Sequence, residues 1–417
     1  MIRCPYFIHF PVSTSHLPYP TFDLDSQPPR LSMAAYHLQL LLYLFLVSAA
    51  QTTLFHGGFL LDITKDAQTL QYTTQLLIGT PQLPTKLVVH LSGQSLWLNC
   101  AHSSSSRHFV RHGSLPCLMA KSGGQTPTAL SPIPTICDVH QENPITGSTN
   151  FGDLAEDTVT VSDGMGVDRF LFLCSPEYLL KTLATGAKGM LGFGRSKIAF
   201  QSQAVNNFDI PRKFSICLSS SEGFIISGLG ISKCLSYTPL ISTHGHDGYY
   251  VNVKSIKING RKLVLQPIRG VEISTIVPYT TMKSPIYGIF TKAYVKAASS
   301  MNMTMVAPVA PFGFCFSSQR KVPEIELVLQ SELVKWMIQG RNSMVQVSDS
   351  VMCLGFVDGG LNMRGSVSVV LGGYQLEDHI LEFNLGTGML GFSPSLLREG
   401  NSCSNMKNAL VSTPLTL

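Results

Sequence analysis

One pattern in this chain occurs twice, and it limits the available folds more than any single residue does. The apolar run Leu87-Val88-Val89 ends at His90 and turns through Ser92-Gly93-Gln94-Ser95 into Leu96-Trp97-Leu98. Well downstream lies a second apolar run closed by glycines, Gly189-Met190-Leu191-Gly192-Phe193-Gly194. The other half of the chain has the same plan, with a strand and turn at Ser274-Thr275 followed by Val369-Val370-Leu371-Gly372-Gly373-Tyr374. Short apolar runs bounded by glycine read as buried strands. Two β-rich lobes of similar plan are therefore expected, over 54–241 and 249–403, joined by a linker at 242–248 and followed by a tail at 404–417.

Composition agrees with a large, mainly β protein. The 417 residues are 44% hydrophobic and only 13% charged, which supplies one or two sizeable cores and argues against disorder. The 35 glycines and 24 prolines imply many turns. Thirty Lys and Arg face 25 acids with no basic run, which points away from nucleic acid and leaves contact with acidic polysaccharide open. Tyr72–Ile78 leads as an extended run into the turn Gly79-Thr80-Pro81, and Tyr249–Ile258 alternates up to Asn259-Gly260, a strong hairpin signal. Helices are few. Ser175-Pro176 should cap one running from Tyr178 to Thr185, and Ser284-Pro285 one from Ile286 to Ser300 with Ile286, Ile289, Ala293 and Ala297 on one face.

The ten cysteines (Cys4, Cys100, Cys117, Cys137, Cys174, Cys217, Cys234, Cys315, Cys353 and Cys403) include no Cys-x-x-Cys pair, so disulfides in an oxidising compartment are favoured over zinc or redox sites. From Met33 an apolar core runs to Val47-Ser48-Ala49, a small-residue cleavage pattern, so 33–50 reads as a signal peptide and is short for a membrane anchor. Residues 1–32 read as an extension ahead of a start at Met33, which would leave nine cysteines, one of them unpaired. His102, His108 and His112 share a loop with Arg107 and Arg111, and His244 and His246 flank a glycine; neither group has ligand spacing, and no metal or other cofactor is expected. Asn302-Met303-Thr304 is a glycosylation sequon.

Ile78-Gly79-Thr80-Pro81, Leu96-Trp97, Gly152 to Asp157, Gly189 to Gly194, Ser274-Thr275 and Gly391-Phe392-Ser393 resemble, in order and spacing, the bilobal pepsin-like proteins. Ile273 to Thr280, Asn302 to Phe312, and Ser343 to Val347 with Cys353 to Gly360 resemble in particular the plant branch of xylanase inhibitors, extracellular dermal glycoprotein and basic 7S globulin. The resemblance implies a mainly β, bilobal pepsin-like fold with a few short helices. It implies three disulfides, Cys100–Cys137, Cys217–Cys403 and Cys315–Cys353, and leaves Cys117, Cys174 and Cys234 without assigned partners.

It also locates a loss. His90 stands where an active member carries the first catalytic aspartate, with Leu91-Ser92-Gly93 after it, and Ser274 stands at the second. An imidazole and a hydroxyl cannot share one proton between two carboxylates and activate water. Glu272 is two residues from Ser274, about 6.6 Å along a strand, and too far to substitute. Ile145 or its neighbour replaces the flap tyrosine. A Ser-His hydrolase built on His90, Ser92 or Ser274 and Asp153 or Asp157 is a weaker alternative, since no oxyanion hole is advertised.

What the resemblance implies is then a secreted, non-catalytic binder of microbial glycoside hydrolases, found in the extracellular space or cell wall. Xylanase-inhibiting members carry a histidine just before the last cysteine, and Pro394 to Ser402 has none, which shifts the expectation toward an endoglucanase. Arg398 in that segment could enter a carboxylate-lined cleft through a bidentate pair. An active aspartic endopeptidase and a storage or peptide-binding globulin are the rival readings.

Overall fold

The computed structural model describes residues 58–121, 135–161, 164–228, 235–243, 246–363 and 367–412. The extension 1–32, the signal segment 33–50, Cys4, Cys234 and His244 lie outside these residues. The first lobe is a β structure: β1 (Phe59–Lys65), β2 (Tyr72–Ile78), β3 (Leu83–His90), β4 (Leu96–Leu98), β5 (His108–Phe109), β6 (Asp138–Glu142), β7 (Thr149–Thr160), β8 (Gly166–Cys174) and β9 (Gly189–Gly192). They join one 14-stranded sheet, in the order β1-β2-β3-β9-β4-β8-β7-β5, with β6 also on β7. Beyond β1 the same sheet continues through Glu222–Ser227, Lys213–Cys217, Ile380–Asn384, Met389–Phe392 and Ser236–Pro239.

That continuation crosses the expected boundary between the lobes. Lys213–Cys217 pairs antiparallel with Ile380–Asn384, so strands late in the chain complete a sheet begun by the first lobe. The segment read as a linker carries strands as well, because Ile241–Thr243 pairs with His246–Val253. The second lobe adds a six-stranded sheet and two four-stranded sheets. One hydrophobic core runs through both lobes, where Phe214 stacks on Phe383 at 5.0 Å and Tyr249 Oη donates to the Phe193 carbonyl at 2.6 Å. No described helix is long and apolar enough to cross a membrane.

The hairpin turn forms at Asn259-Gly260, where Ile258 pairs with Arg261 and both turn residues take positive φ, 47° and 73°. The strand ahead of it breaks at Lys254, and its halves His246–Val253 and Ser255–Ile258 enter different sheets. The helix expected after Ser175 shrinks to a 3-10 turn, Glu177–Leu180, because the Ser175 hydroxyl is spent on Gln141 Oε1 at 2.7 Å and not on a cap. The helix Ser284–Ser300 is present with Lys283 at its N-cap position making no side-chain cap bond, while Ser284 Oγ donates to Asp358. Its buried face is Phe290, Thr291, Tyr294 and Ala298; Ile286, Ala293 and Ala297 flank that stripe and Ile289 is exposed. The two aromatic rings, having more area to remove from water, set which side turns inward. The tail contains the helix Cys403–Ser412.

The disulfides correct one expectation. Cys100 bonds Cys174, with Cα atoms 5.3 Å apart, and Cys137 bonds Cys117 at 5.7 Å, so a Cys100–Cys137 bridge is not formed. Strand order is the reason. β4 runs parallel to β8 with Leu98 beside Cys174, which brings Cys174 within reach of Cys100, while Cys137 at the start of β6 meets the short helix Leu115–Lys121. Cys217 is bonded to Cys403 and Cys315 to Cys353.

Candidate functional site

The same three-strand arrangement stands in each lobe. In the first, β9 lies between β3 and β4, parallel to β3 (Val89 opposite Leu191, His90 opposite Gly192) and antiparallel to β4. In the second, Val369–Leu371 lies between Ile268–Ile273 and Thr280–Met282, parallel to the former (Ile273 opposite Leu371) and antiparallel to the latter. Leu191-Gly192 and Leu371-Gly372 are therefore equivalent. Each glycine is required by close approach, since a Cβ on Gly192 would strike the Ser95 carbonyl and one on Gly372 the backbone of Tyr279. The residue opposite Gly192 is His90, and the residue that follows Ile273 is Ser274. Register makes His90 and Ser274 the paired positions.

A hydroxyl clasp joins the two turns. Thr275 Oγ1 donates to the Val89 carbonyl at 2.7 Å and accepts from the Leu91 amide at 3.2 Å, engaging both peptide groups that flank His90. The reciprocal bonds are missing, because the equivalent of Thr275 in the first lobe is the apolar, fully buried Leu91. Ser274 Oγ accepts from the amides of Ile276 and Val277 at 3.2 and 3.3 Å, closing its own turn. The half-buried His90 imidazole makes no hydrogen bond among the described residues, lies against Gly93, and is pushed down to about pKa 4 by desolvation. Neutral at ordinary pH and matched by register with a serine, it cannot share a proton as a carboxylate pair does.

The neighbouring groups do not repair this. Glu272 Oε1 accepts from Ser92 Oγ at 2.9 Å, so the nearest acid is engaged across the turn. Asp157, considered as a triad member, is buried and held by Ser104, Ser106, Arg107 and the Thr158 amide. Asp153 is exposed on β7. The flap is the β6–β7 hairpin, whose turn is tied by Asn143 Oδ1 accepting from the amides of Ile145 and Thr146. Ile145 and Ile276 both pack on the apolar cluster around Val88, Trp97 and Met190.

Sequence reasoning had no signal for the Asp157 cluster, whose partners lie about fifty residues away. It explains the serine-rich loop: Arg107 folds back onto Asp157 and the His102 carbonyl, a structural use. His102 and His108 are exposed and His112 partly so, and no metal-binding group of three His, Cys, Asp or Glu occurs among the described residues. Arg398 is exposed on the 3-10 turn Leu396–Glu399. Asn302 is exposed with φ 58° at the end of the Ser284–Ser300 helix.

Comparison with known proteins places this geometry. Residues 72–228 match the model described as Xylanase inhibitor N-terminal and residues 248–394 the one described as Xylanase inhibitor C-terminal. The chain is 39% identical to "Probable aspartic proteinase GIP2" of Nicotiana benthamiana, over 88% of this chain and 95% of that protein. The crystal structure of edgp superposes with a TM-score of 0.77 at 40% identity, covering 84% of this chain and 97% of that one. Basic 7S globulin from soybean superposes with a TM-score of 0.75 at 30% identity, covering 84% and 98%. The aspartic proteinase from Irpex lacteus, 14% identical with a TM-score of 0.59 over 81% and 98%, shares the fold alone. The chain belongs to the xylanase-inhibitor family and has its pepsin-like fold.

Proposed function

We propose that this protein is a secreted, non-catalytic member of its family that binds and inhibits microbial cell-wall glycoside hydrolases, an endoglucanase in preference to a xylanase. One observation carries the reading: the two register-equivalent cleft positions hold His90 and Ser274 while the Thr275 clasp beside them is kept. A body that keeps its junction and lacks its acid pair is suited to binding without cleavage. The family's description supplies the class of partner, and four disulfides suit an oxidising, extracellular setting. Arg398, exposed on its turn, is the residue we assign to a hydrolase carboxylate.

The test is a panel of microbial endoglucanases and xylanases titrated with the secreted protein. Inhibition of at least one endoglucanase is expected, weakened about tenfold by Arg398→Ala. No inhibition across the panel would refute the reading and favour a storage or peptide-binding globulin. The Nicotiana relative is named a probable aspartic proteinase, which favours a proteinase instead; pepstatin-sensitive cleavage of denatured globin at acid pH by the pure protein would establish that alternative.

A further inference from the structure

The first lobe carries a recess of about 440 Å³ that includes neither His90 nor Ser274, lined among others by Asn99, Phe109, Asn150, Phe151, Asp153 and Ser175. Two of its walls are aromatic rings left in solvent. Phe109 is 48% and Phe151 58% exposed, whereas the largest aromatic side chains of the fold are buried. β7 presents alternate residues to one face, so Phe151 and Asp153 share a side, and β5 places Phe109 opposite Ala155 on that same side. The Phe151 ring is not loose: His140 on β6 meets it edge-on, at 5.8 Å and 82°. The Cys100–Cys174 disulfide fixes the remaining wall.

The polar groups between the rings have fixed roles. The Asp153 carboxylate is exposed on β7, makes no hydrogen bond or ion pair among the described residues, and as a carboxylate only accepts. Asn99 Oδ1 receives the Ala101 amide, which leaves its NH₂ group to donate. Ser175 Oγ gives its proton to Gln141, so its lone pairs remain to accept. No lysine or arginine lines the recess, which disfavours an anionic ligand. Phenyl rings without a hydroxyl call for apolar C–H faces, and a carboxylate, an amide and a hydroxyl between them call for hydroxyl groups that donate and accept.

We propose that this recess binds a neutral oligosaccharide, whose pyranose C–H faces rest on Phe109 and Phe151 and whose hydroxyls meet Asp153, Asn99 and Ser175. The volume falls at the lower end of small-ligand sites, about 300–1,000 Å³. The site does not rest on the hydrolase reading and serves equally a wall-bound inhibitor or a globulin.

The experiment is isothermal titration of the secreted protein with cellopentaose, xylopentaose and a xyloglucan heptasaccharide, with saturation-transfer NMR on the same mixtures. Binding of at least one is expected, weakened about fivefold to tenfold by Phe151→Ala or Phe109→Ala and severalfold by Asp153→Asn. All three side chains are exposed, so unfolding midpoints should stay near the parent's and binding losses can be read directly. Absence of binding to all three sugars at millimolar concentration overturns the proposal, as does binding that survives the double Phe109→Ala, Phe151→Ala variant. If hydrolase inhibition falls in Phe151→Ala while no sugar binds, the face contacts protein and the proposal is wrong. Sugar binding lost with inhibition intact confirms that the two sites are separate.

Discussion

Acidification should weaken this fold through His379. The residue is 1% exposed, and its Nδ1 lies 3.0 Å from the Ser393 carbonyl. A carbonyl only accepts, so Nδ1 carries the hydrogen and Nε2 is the bare nitrogen. Nε2 has no hydrogen-bond partner among the described residues, and the Trp336 ring meets the imidazole in a T-shaped contact with ring centroids 6.0 Å apart. Protonation would add a charge and a second N–H there with nothing to receive it. Burial accordingly pushes the pKa from 6.5 to about 4, opposed in part by the Ser393 bond.

The unfolded chain therefore binds a proton that the native state refuses between about pH 6.5 and pH 4. Stability is full above that window, falls as pH drops through it, and levels off below. At pH 5 the unfolded histidine lies about 1.5 units below its pKa, which costs the native state about 2 kcal/mol. His90 is shifted in the same direction, and being only half-buried it adds less. Burial raises the adjacent Asp378 carboxyl, which acts oppositely near its own pKa. Urea unfolding of the parent and of His379→Asn, from pH 8 to pH 5, isolates the term. Asn can still donate to Ser393 but does not titrate, so the variant should lose about 2 kcal/mol less than the parent between pH 7 and pH 5. Parallel pH profiles for the two proteins would show that His379 is not held neutral by its surroundings.

Other consequences can be measured on the same material. Thr275→Val leaves the buried Val89 carbonyl and Leu91 amide without their partner and should cost about 2–3 kcal/mol in denaturant unfolding, and a loss under about 1 kcal/mol would mean that the clasp does little. Lys65→Met strands Glu377, which also accepts from Tyr72 Oη at 2.8 Å, and should cost about 3 kcal/mol, with much of it recovered when Glu377→Gln is added. Rebuilding the acids as His90→Asp with Ser274→Asp should yield no proteolysis of denatured globin at acid pH, because Leu91 and Ile145 remain; clear activity would mean that only the acids had been lost. Protein secreted from eukaryotic cells should lose one glycan's mass on Asn302→Gln, and an unchanged mass would refute use of that sequon.

The lobes and the cleft could be read in the sequence because backbone geometry imposes them on particular residues. Gly192 and Gly372 allow a carbonyl-bearing turn to cross a strand, and Asn259-Gly260 supplies two positive φ angles, so these signals survive any change of partner. The misreadings concern side chains whose partners lie far along the chain. Ser175 and Ser284 had the spacing of helix caps, yet tertiary neighbours Gln141 and Asp358 took their hydroxyls. Cys100 was expected to bond Cys137, and it bonds Cys174 instead because β4 runs beside β8. Local rules fix what one residue does to its own backbone, while strand order decides which of several distant groups it meets.

The cleft shows the same division within a single pair of turns. Thr275 still bonds both peptides around His90, whereas its counterpart Leu91 has exchanged a reciprocal hydroxyl for complete burial. Full burial of a leucine contributes roughly 2 kcal/mol, against about 1 kcal/mol for a typical net hydrogen bond, so the exchange need not loosen the junction. Ile145 on the flap and Ile276 beyond the second turn extend that apolar packing onto a common cluster. At these positions the junction is held by shape and burial. The exposed groups to which partner contacts are proposed lie away from these packed turns, on the 3-10 turn of Arg398 and on the strands of Phe109 and Phe151.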